Sequence, residues 1–224
     1  MEVLKTFRHE LKYVIPYDVS LKLRSKLDKV LTLDRGSPYV VRCLYFDSVV
    51  DYDYYDKQGG EINRKKIRLR IYDINSDKCK LECKAKYDVH QLKSSLVINR
   101  EQAKRLINGD YSFLLDIDLD IAKEIYVIMM NGHYMPKVII EYQRAAYITT
   151  ATSTRITFDF NIKESHDFDK FFTNDINYID CTDMKDMILE VKFDRFLEPY
   201  ISKILDSITN RFQSVSKYVM GRNM

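Results

Sequence analysis

The stretch RKKIRLRIYDI (Arg64–Ile74) decides the fold, because it alternates basic and apolar residues. Side chains two residues apart on a strand lie on the same face of a sheet. One face therefore carries four cations: Arg64, Lys66, Arg68 and Arg70. The other face carries aliphatic residues: Ile67, Leu69 and Ile71. The pattern predicts a β-strand with one buried face and one charged face.

Other segments alternate in the same way and are predicted strands: Thr6–Ile15, Tyr39–Asp47, Cys79–Lys86, Leu92–Asn99, Lys137–Thr149, Thr154–Asn161 and Met187–Asp194. About four segments have helical spacing: Asp18–Leu31, Arg100–Asn108, Asp116–Met130 and Pro199–Phe212. Asp51–Gly60 is a predicted turn and Lys163–Asn177 a predicted mobile loop. With 224 residues, 6 Gly and 4 Pro, the chain is predicted to form a single α+β domain over residues 1–224.

The charge balance limits the classes of partner. Subtracting 33 acidic from 36 basic residues leaves a net charge of only +3, which argues against an open basic surface for nucleic acid. No stretch approaches the roughly 20 apolar residues of a membrane span, and no signal-peptide core follows Met1. We therefore expect a soluble, cytoplasmic protein.

Cysteine and histidine contribute little to a site. The 4 Cys are too few for a disulfide scaffold and are interpreted as reduced, small hydrophobic residues. The 4 His form no zinc motif.

The charged strand faces have two interpretations. Each could be the solvated side of an ordinary antiparallel sheet, or the sheet could close into a barrel whose charged faces line a polar lumen. Four like charges on one strand face repel, which favours a bound anion. Three acidic residues each precede a lysine by two positions, as Glu10–Lys12, Glu82–Lys84 and Glu190–Lys192. Such a pair would set a hard oxygen ligand for Mg²⁺ or Mn²⁺ beside a phosphate-binding cation.

The residue types point to phosphate. Arginine binds phosphate oxygens bidentately, and lysine supplies a point charge. Lys93, Arg144 and Arg155 add cations from three further strands. No P-loop and no Rossmann glycine motif is present. A lumen of this kind suits an inorganic phosphate chain or a nucleoside triphosphate.

Eight motifs in order resemble one family. They are FRHELKYVI (Phe7–Ile15), CLYFDS (Cys43–Ser48), KIRLRIY (Lys66–Tyr72), LECKAK (Leu81–Lys86), IIEYQRAAY (Ile139–Tyr147), RITFD (Arg155–Asp159), LEVKFD (Leu189–Asp194) and SKYVMG (Ser216–Gly221). The chain resembles the VTC domain, the polyphosphate polymerase domain within the CYTH-like triphosphate tunnel metalloenzymes. The resemblance implies an antiparallel β-barrel tunnel with a charged lumen, flanked by about four helices, that binds ATP, polyphosphate and a divalent metal, Mn²⁺ or Mg²⁺.

The resemblance also implies roles for individual residues. The arginines that would clamp the transferring phosphate are Arg68, Arg70, Arg144 and Arg155. The other phosphate-binding residues that it implies are Lys12, Lys84, Tyr142, Lys192, Ser216 and Lys217. Lys66 and Lys93 are added as phosphate-binding candidates because they are cations on the charged strand faces. Glu190 would be the metal ligand, with Glu10 and Glu82 as supporting carboxylates.

Three functions remain open from the sequence. The first is a polymerase that transfers the ATP γ-phosphate to a growing polyphosphate chain and releases ADP. The second is a triphosphate or nucleoside triphosphate hydrolase that uses the same tunnel with water as acceptor. The third is a binding module without turnover in a membrane-associated assembly, where a membrane protein would be the partner.

Overall fold

The computed structural model describes residues 8–34, 36–87, 90–149, 152–181 and 186–222. The chain divides into two compact units, each built from separate parts of the sequence. Unit 1 comprises Met1–Val40, Tyr142–Ile162 and Thr182–Ser216. Unit 2 comprises Val41–Glu141, Lys163–Cys181 and Lys217–Met224.

The described residues form ten strands and six α-helices. The strands are β1 (Arg8–Pro16), β2 (Thr32–Leu33), β3 (Tyr39–Asp47), β4 (Arg64–Ile71), β5 (Lys78–Tyr87), β6 (His90–Asn99), β7 (Met135–Ile148), β8 (Arg155–Ser165), β9 (Ile179–Asp180) and β10 (Asp186–Asp194). The helices are α1 (Tyr17–Leu27), α2 (Tyr52–Gln58), α3 (Arg100–Ile107), α4 (Asp120–Asn131), α5 (Pro199–Leu205) and α6 (Lys217–Met220). Three 3-10 helices cover Ser112–Asp116, Phe168–Lys170 and Asp206–Arg211.

The strands are hydrogen bonded in the order β1-β10-β8-β7-β3-β4-β5-β6, with β2 beside β7 and β9 beside β8. The recorded pairings, such as β1 with β10 and β4 with β5, are antiparallel. The α+β class and the antiparallel sheet are confirmed. Within the described residues this order has two ends, β1 and β6, whereas we expected a closed ring of strands. Alternation along a strand identifies its two faces but says nothing about which strands pair at the ends.

All eight predicted strands are present among the described residues, with the other ends shifted by at most a few residues. Thr6 and Phe7, at the start of the first predicted strand, lie outside the described residues. The predicted turn at Asp51–Gly60 is instead helix α2. Asp47 explains the difference, because its carboxylate accepts hydrogen bonds from the backbone N–H groups of Asp53 and Tyr54, at 3.0 and 2.9 Å. These are among the first N–H groups of the helix, which have no partner within it. The predicted loop at Lys163–Asn177 is shorter than expected, since β8 continues to Ser165.

Three further short elements and the end of the last predicted helix differ from the prediction. The two-residue strands β2 and β9 and the four-residue helix α6 are too short for their periodicity to be read. The last predicted helix ends at Leu205 and continues as a 3-10 helix. Helix α3 agrees with the prediction: Asn99 and Gln102 form a capping box at its start, and Gly109 follows its end with a φ of 82°.

Each unit has its own hydrophobic core. In unit 1 the core comes from the apolar faces of β1, β10, β8 and β7 and from α1 and α5, and includes Ile15, Leu189, Phe158 and Tyr147. In unit 2 it comes from β3–β6, α3 and α4, and includes Leu44, Leu69, Leu81 and Ile125. The uncharged faces predicted for β1, β4, β5 and β10 therefore pack in these cores, and parts of the charged faces are buried too, including Glu82 and Glu190.

Unit 2 also buries a carboxyl group. Asp53 on α2 is 1% exposed and accepts hydrogen bonds from the Tyr134 hydroxyl at 3.0 and 2.9 Å. Burial, together with the negative charge of Asp47, raises the pKa of Asp53 from 3.8 to about 7. The folded protein therefore retains a proton that the unfolded chain has released between these two pH values.

We expect Asp53→Asn to stabilise the protein relative to the wild type as the pH rises from about 4 to about 7. In that window the wild-type protein loses stability because unfolding releases the Asp53 proton, whereas the amide does not titrate. The difference in free energy of unfolding should grow across the window to the order of 1–3 kcal/mol and then level off. Urea denaturation at a series of pH values measures it. A difference that does not depend on pH would contradict the assignment.

Candidate functional site

The first cluster of predicted site residues lies on the charged faces of β4, β5 and β6, in unit 2. We call it the unit 2 cluster; it consists of the predicted residues Lys66, Arg68, Arg70, Glu82, Lys84 and Lys93, together with Tyr45 on the neighbouring strand β3. Adjacent strands pair Arg68 with Glu82 and Lys66 with Lys84, and on the next strand pair Lys84 with Lys93. Three lysines therefore lie side by side across three strands. Like charges directly opposite one another are unfavourable, so an anion bound there would relieve their repulsion.

Glu82 lies at the centre of this cluster and contacts three cations. Its Oε2 is 2.8 Å from Arg68 Nε and 3.1 Å from Arg70 Nη2, and its Oε1 is 3.0 Å from Lys93 Nζ. Burial would raise the pKa of Glu82, but Arg68 and Lys93 outweigh it and lower the pKa below its usual range. Arg68, Arg70 and Lys93 share the one negative charge of Glu82, so the four side chains together carry a net charge of +2. We predicted Glu82 as a supporting metal ligand, and these contacts favour a counter-charge for the arginines.

Arg70 has further capacity to bind an anion. It is 9% exposed, and its Nη1 donates to the Tyr72 hydroxyl at 3.2 Å. Its Nε is buried without a hydrogen-bond acceptor in the described part of the chain. Because an unsatisfied buried donor costs free energy, an anion beside this guanidinium would offset part of the cost.

The second cluster lies in unit 1, on the charged faces of β1, β10, β8 and β7. We call it the unit 1 cluster; it consists of Glu10, Lys12, Tyr142, Arg144, Arg155, Asp159, Glu190, Lys192 and Ser216. The register pairs Glu10 with Lys192 and Lys12 with Glu190, so opposite charges alternate both along and across the strands. Lys12 also contacts Glu10 at 2.9 Å, and Lys192 forms an ion pair with Glu190.

Arg144 is fixed by a residue that the sequence did not single out for a role. Its Nε and Nη2 donate to the two carboxylate oxygens of Asp159 at 2.6 and 2.7 Å. Asp159 is fully buried, and the Arg144 guanidinium lies 5.3 Å from the ring centre of Tyr142. Burial alone would lower the pKa of Arg144, but Asp159 outweighs it and raises the pKa. Asp159 thus sets the orientation of the guanidinium.

We expect Asp159→Ala to destabilise the protein by about 3–5 kcal/mol, because it leaves the Arg144 charge buried without its partner. The free energy of unfolding in urea measures the loss. Asp110→Ala is the matched control, since Asp110 forms a comparable pair with Arg105 at 2.7 Å on the surface, where exposed pairs contribute little. Equal losses in the two variants would contradict the role assigned to Asp159.

Arg155 also has partners that we did not predict. Its Nη2 is 2.8 Å from the Asp34 carboxylate and donates to the Tyr39 hydroxyl at 3.0 Å. The register places Arg155 beside Lys192 and Thr157 beside Glu190. The Thr157 hydroxyl is buried and has no hydrogen-bond partner in the described ranges. It lies on the same strand face as Arg155 and Asp159, so alternation along RITFD could have identified it.

The remaining predicted residues fall on these elements. Ser216 is nearly buried at the end of unit 1, and Lys217 begins α6 in unit 2. Lys12 Nζ donates to the Val215 carbonyl at 3.4 Å, which ties the segment before Ser216 to β1. All the predicted residues except Lys217 thus belong to one of the two clusters, and Lys217 lies in the C-terminal motif.

The donor set limits how a divalent metal could bind. Among the described residues, no group of three or more His, Cys, Asp or Glu side chains could hold a metal ion. Glu190 and Glu10 lie on neighbouring strands of one face, whereas the third carboxylate described in the unit 1 cluster, Asp159, is bonded to Arg144. Mg²⁺ is typically bound by one or two carboxylates together with substrate phosphates and water. The residues therefore fit a metal that arrives with a phosphate ligand and do not form a cage made of protein groups alone.

No helix in the described ranges is both long enough and apolar enough to cross a bilayer.

Comparisons with known proteins support both the family and the fold. A family model described as the VTC domain matches residues 7–224. No curated protein sequence matches the chain. A Bacillus halodurans protein described as a candidate adenylate cyclase has a similar structure, with a TM-score of 0.56, 13% identity and 92% of both chains covered.

Two further solved structures are similar. One is the Hippeastrum protein HpAC1, described as having a dominant triphosphatase activity, with a TM-score of 0.56, 15% identity and 96% of both chains covered. The other is a protein from Pyrococcus horikoshii OT3, with a TM-score of 0.51, 11% identity, and 97% of this chain and 99% of that chain covered. At this level of identity the likeness concerns the fold alone, and it agrees with the α+β fold built on an antiparallel sheet that the motifs predict.

Proposed function

Because the chain belongs to the VTC domain family, we propose that it is a metal-dependent polyphosphate polymerase. It would transfer the γ-phosphate of ATP to the end of an inorganic polyphosphate chain and release ADP. The observation that carries the proposal is the unit 2 cluster, where Arg68, Arg70 and Lys93 share the single carboxylate of Glu82. Such an excess of fixed positive charge suits a phosphate chain.

Phosphoryl transfer depends mainly on positioning and on stabilising charge, and needs little covalent chemistry from the protein. Arg68 and Arg70 would bind phosphate oxygens in unit 2. In unit 1, Arg144 would present the donors that Asp159 leaves available, beside Tyr142. Arg155 and Lys192, which are neighbours in the register, would add positive charge. These groups are fixed before substrate binds, so little reorganisation is needed during the reaction.

The acceptor explains why no strong base is needed. A terminal phosphate oxygen is already anionic near neutral pH, so it can attack the γ-phosphorus without losing a proton. The new P–O bond forms as the bond to the β,γ-bridging oxygen breaks, and ADP leaves with that oxygen. A divalent ion, Mn²⁺ or Mg²⁺, would neutralise phosphate charge when bound; Glu190 would hold it, with Glu10 in support.

The alternative function is hydrolysis of triphosphate or nucleoside triphosphate, with water as the acceptor. The observation that favours it is the shared fold with HpAC1, which is described as having a dominant triphosphatase activity. A binding module without turnover is the third candidate. Phosphate-binding cations serve all three functions, so only the products distinguish them.

The test incubates the purified protein with ATP, Mn²⁺ and a short polyphosphate primer and separates the products on a gel. A ladder of chains longer than the primer supports the polymerase. Free phosphate without longer chains supports the hydrolase. Binding of ATP or primer without any product supports the module. We also propose a cytoplasmic location beside a membrane complex. The partners would be ATP and polyphosphate, and nucleic acid would not be a partner.

A further inference from the structure

The C-terminal helix α6 is held in unit 2 by a buried hydrogen bond. The Tyr218 hydroxyl donates to Asp47 Oδ2 at 2.5 Å. Tyr218 is 1% exposed and Asp47 is fully buried. Burial, together with the Asp47 carboxylate, raises the pKa of Tyr218 far above its usual value, so the hydroxyl remains a donor at every working pH. The interaction links residues 171 positions apart in sequence.

Asp47 is itself fixed by other contacts. Its Oδ1 accepts from the backbone N–H groups of Ser48 and Asp53 at 2.7 and 3.0 Å. Its Oδ2 accepts from the N–H of Tyr54 at 2.9 Å. Tyr218 therefore bonds to a carboxylate that cannot rotate away without breaking the start of helix α2.

A second contact holds the other end of α6. The Arg222 guanidinium pairs with both oxygens of Asp51 at 3.0 and 2.9 Å and lies 5.4 Å from the ring centre of Tyr54. Between the two anchors the backbone passes very close to β7: a Cβ added to Gly221 would lie 2.2 Å from Ile140 Cδ1. A side chain at position 221 would require the Ile140 side chain or the α6 backbone to shift.

The Tyr218 ring also contacts the unit 2 cluster. It stacks on Tyr45 with ring centres 5.3 Å apart, and Lys66 Nζ lies 5.7 and 5.6 Å from the two ring centres. The Tyr45 hydroxyl accepts from Arg68 Nη1 at 3.1 Å. A continuous set of contacts thus runs from Asp47 through Tyr218 and Tyr45 to the cations of β4.

We propose that Asp47 and Tyr218 are positioning residues for phosphate binding. They fix the first turn of α6 and so direct Lys217, the residue next to Tyr218, toward the bound anion. The inference rests on the proposed function only in taking Lys217 as a phosphate ligand. The inference assigns Tyr218 no contact with the substrate. The effect of Tyr218 on phosphate binding passes through Lys217.

A double-mutant cycle tests this inference by binding, without requiring turnover. Tripolyphosphate is titrated calorimetrically into the wild type, Tyr218→Phe, Lys217→Ala and the double variant. Tyr218→Phe keeps the ring and its stacking but removes the donor. We expect it to raise the tripolyphosphate Kd about fivefold, Lys217→Ala to raise it about tenfold, and the double variant to match Lys217→Ala. Residues that act through one another are non-additive in this way.

The outcomes separate the inference from the proposed function. Additive effects of the two substitutions would overturn the positioning role while leaving Lys217 as a ligand. No effect of Lys217→Ala would remove Lys217 from the site and overturn the inference. The assignment of Arg68 and Arg70 would still stand if their variants lost binding. If the variants of Lys217, Tyr218, Arg68 and Arg70 all bind tripolyphosphate as the wild type does, both the inference and the proposed function fail.

Tyr111→Phe is the matched control, because it too removes a buried tyrosine hydroxyl hydrogen bond in unit 2, to the Tyr134 carbonyl. It should lower stability without changing the Kd. If Tyr218→Phe does not fold, Arg222→Gln weakens the second anchor of α6, the pair with Asp51, and should raise the Kd in the same direction. In an active preparation Tyr218→Phe should raise KM and leave kcat nearly unchanged. A fall in kcat alone would contradict positioning.

Discussion

Arg70→Ala is expected to lower ATP turnover by about 10²–10³-fold, the loss typical of removing one preorganised donor to a charged transition state. Arg70 belongs to the unit 2 cluster and contacts Glu82 and Tyr72. Its removal leaves Glu82 paired with Arg68 and Lys93, so the fold should persist. Steady-state kinetics of ADP release measure the change.

The matched control is Arg105→Ala, an arginine of the same unit that pairs with Asp110 on the surface. It should leave turnover within about twofold of the wild type, because an exposed pair contributes little. Near-normal turnover in Arg70→Ala, with ATP still consumed by the wild type, would remove Arg70 from the site.

Glu190→Gln should also cost about 10²–10³-fold in turnover and should change the metal dependence. The substitution keeps the size of the side chain and removes the charge that would hold a divalent ion. Its ion pair with Lys192 is lost, while the Asp159–Arg144 contacts of the unit 1 cluster remain. Turnover measured over a series of Mn²⁺ concentrations should show a higher concentration for half-maximal activity.

Glu101→Gln provides the comparison, since Glu101 is an exposed carboxylate that contacts Lys104 at 2.9 Å. It should match the wild type at every Mn²⁺ concentration. An unchanged metal dependence in Glu190→Gln would show that the carboxylate has another role.

Much of the fold could be predicted because alternation is a local property. Each strand of the unit 2 cluster shows its two faces within ten residues, so the row of Arg64, Lys66, Arg68 and Arg70 could be placed from sequence. The start and end of α3 were predictable for the same reason: Asn99 and Gly109 flank it directly. Helix α2 was missed because the group that begins it, the Asp47 carboxylate, belongs to the preceding strand.

The counter-charges were harder to predict than the cations. Asp159 lies 15 residues from Arg144 in sequence, and Asp34 is far from Arg155, so no short motif joins them. Glu82 is predicted as a supporting metal ligand because Lys84 follows it by two positions, and its contacts to cations come from two other strands. Which carboxylate neutralises which cation depends on strand register, and the register is a property of the folded sheet.

The most direct test of the central claim is the ratio of free phosphate to ADP during ATP turnover with Mn²⁺ and a polyphosphate primer. A polymerase retains the transferred phosphate in the chain, so we predict a ratio well below one, and Arg70→Ala should reduce ADP formation by about 10²–10³-fold. Equal amounts of phosphate and ADP would contradict the polymerase and identify a hydrolase. The absence of ADP under these conditions would contradict turnover altogether.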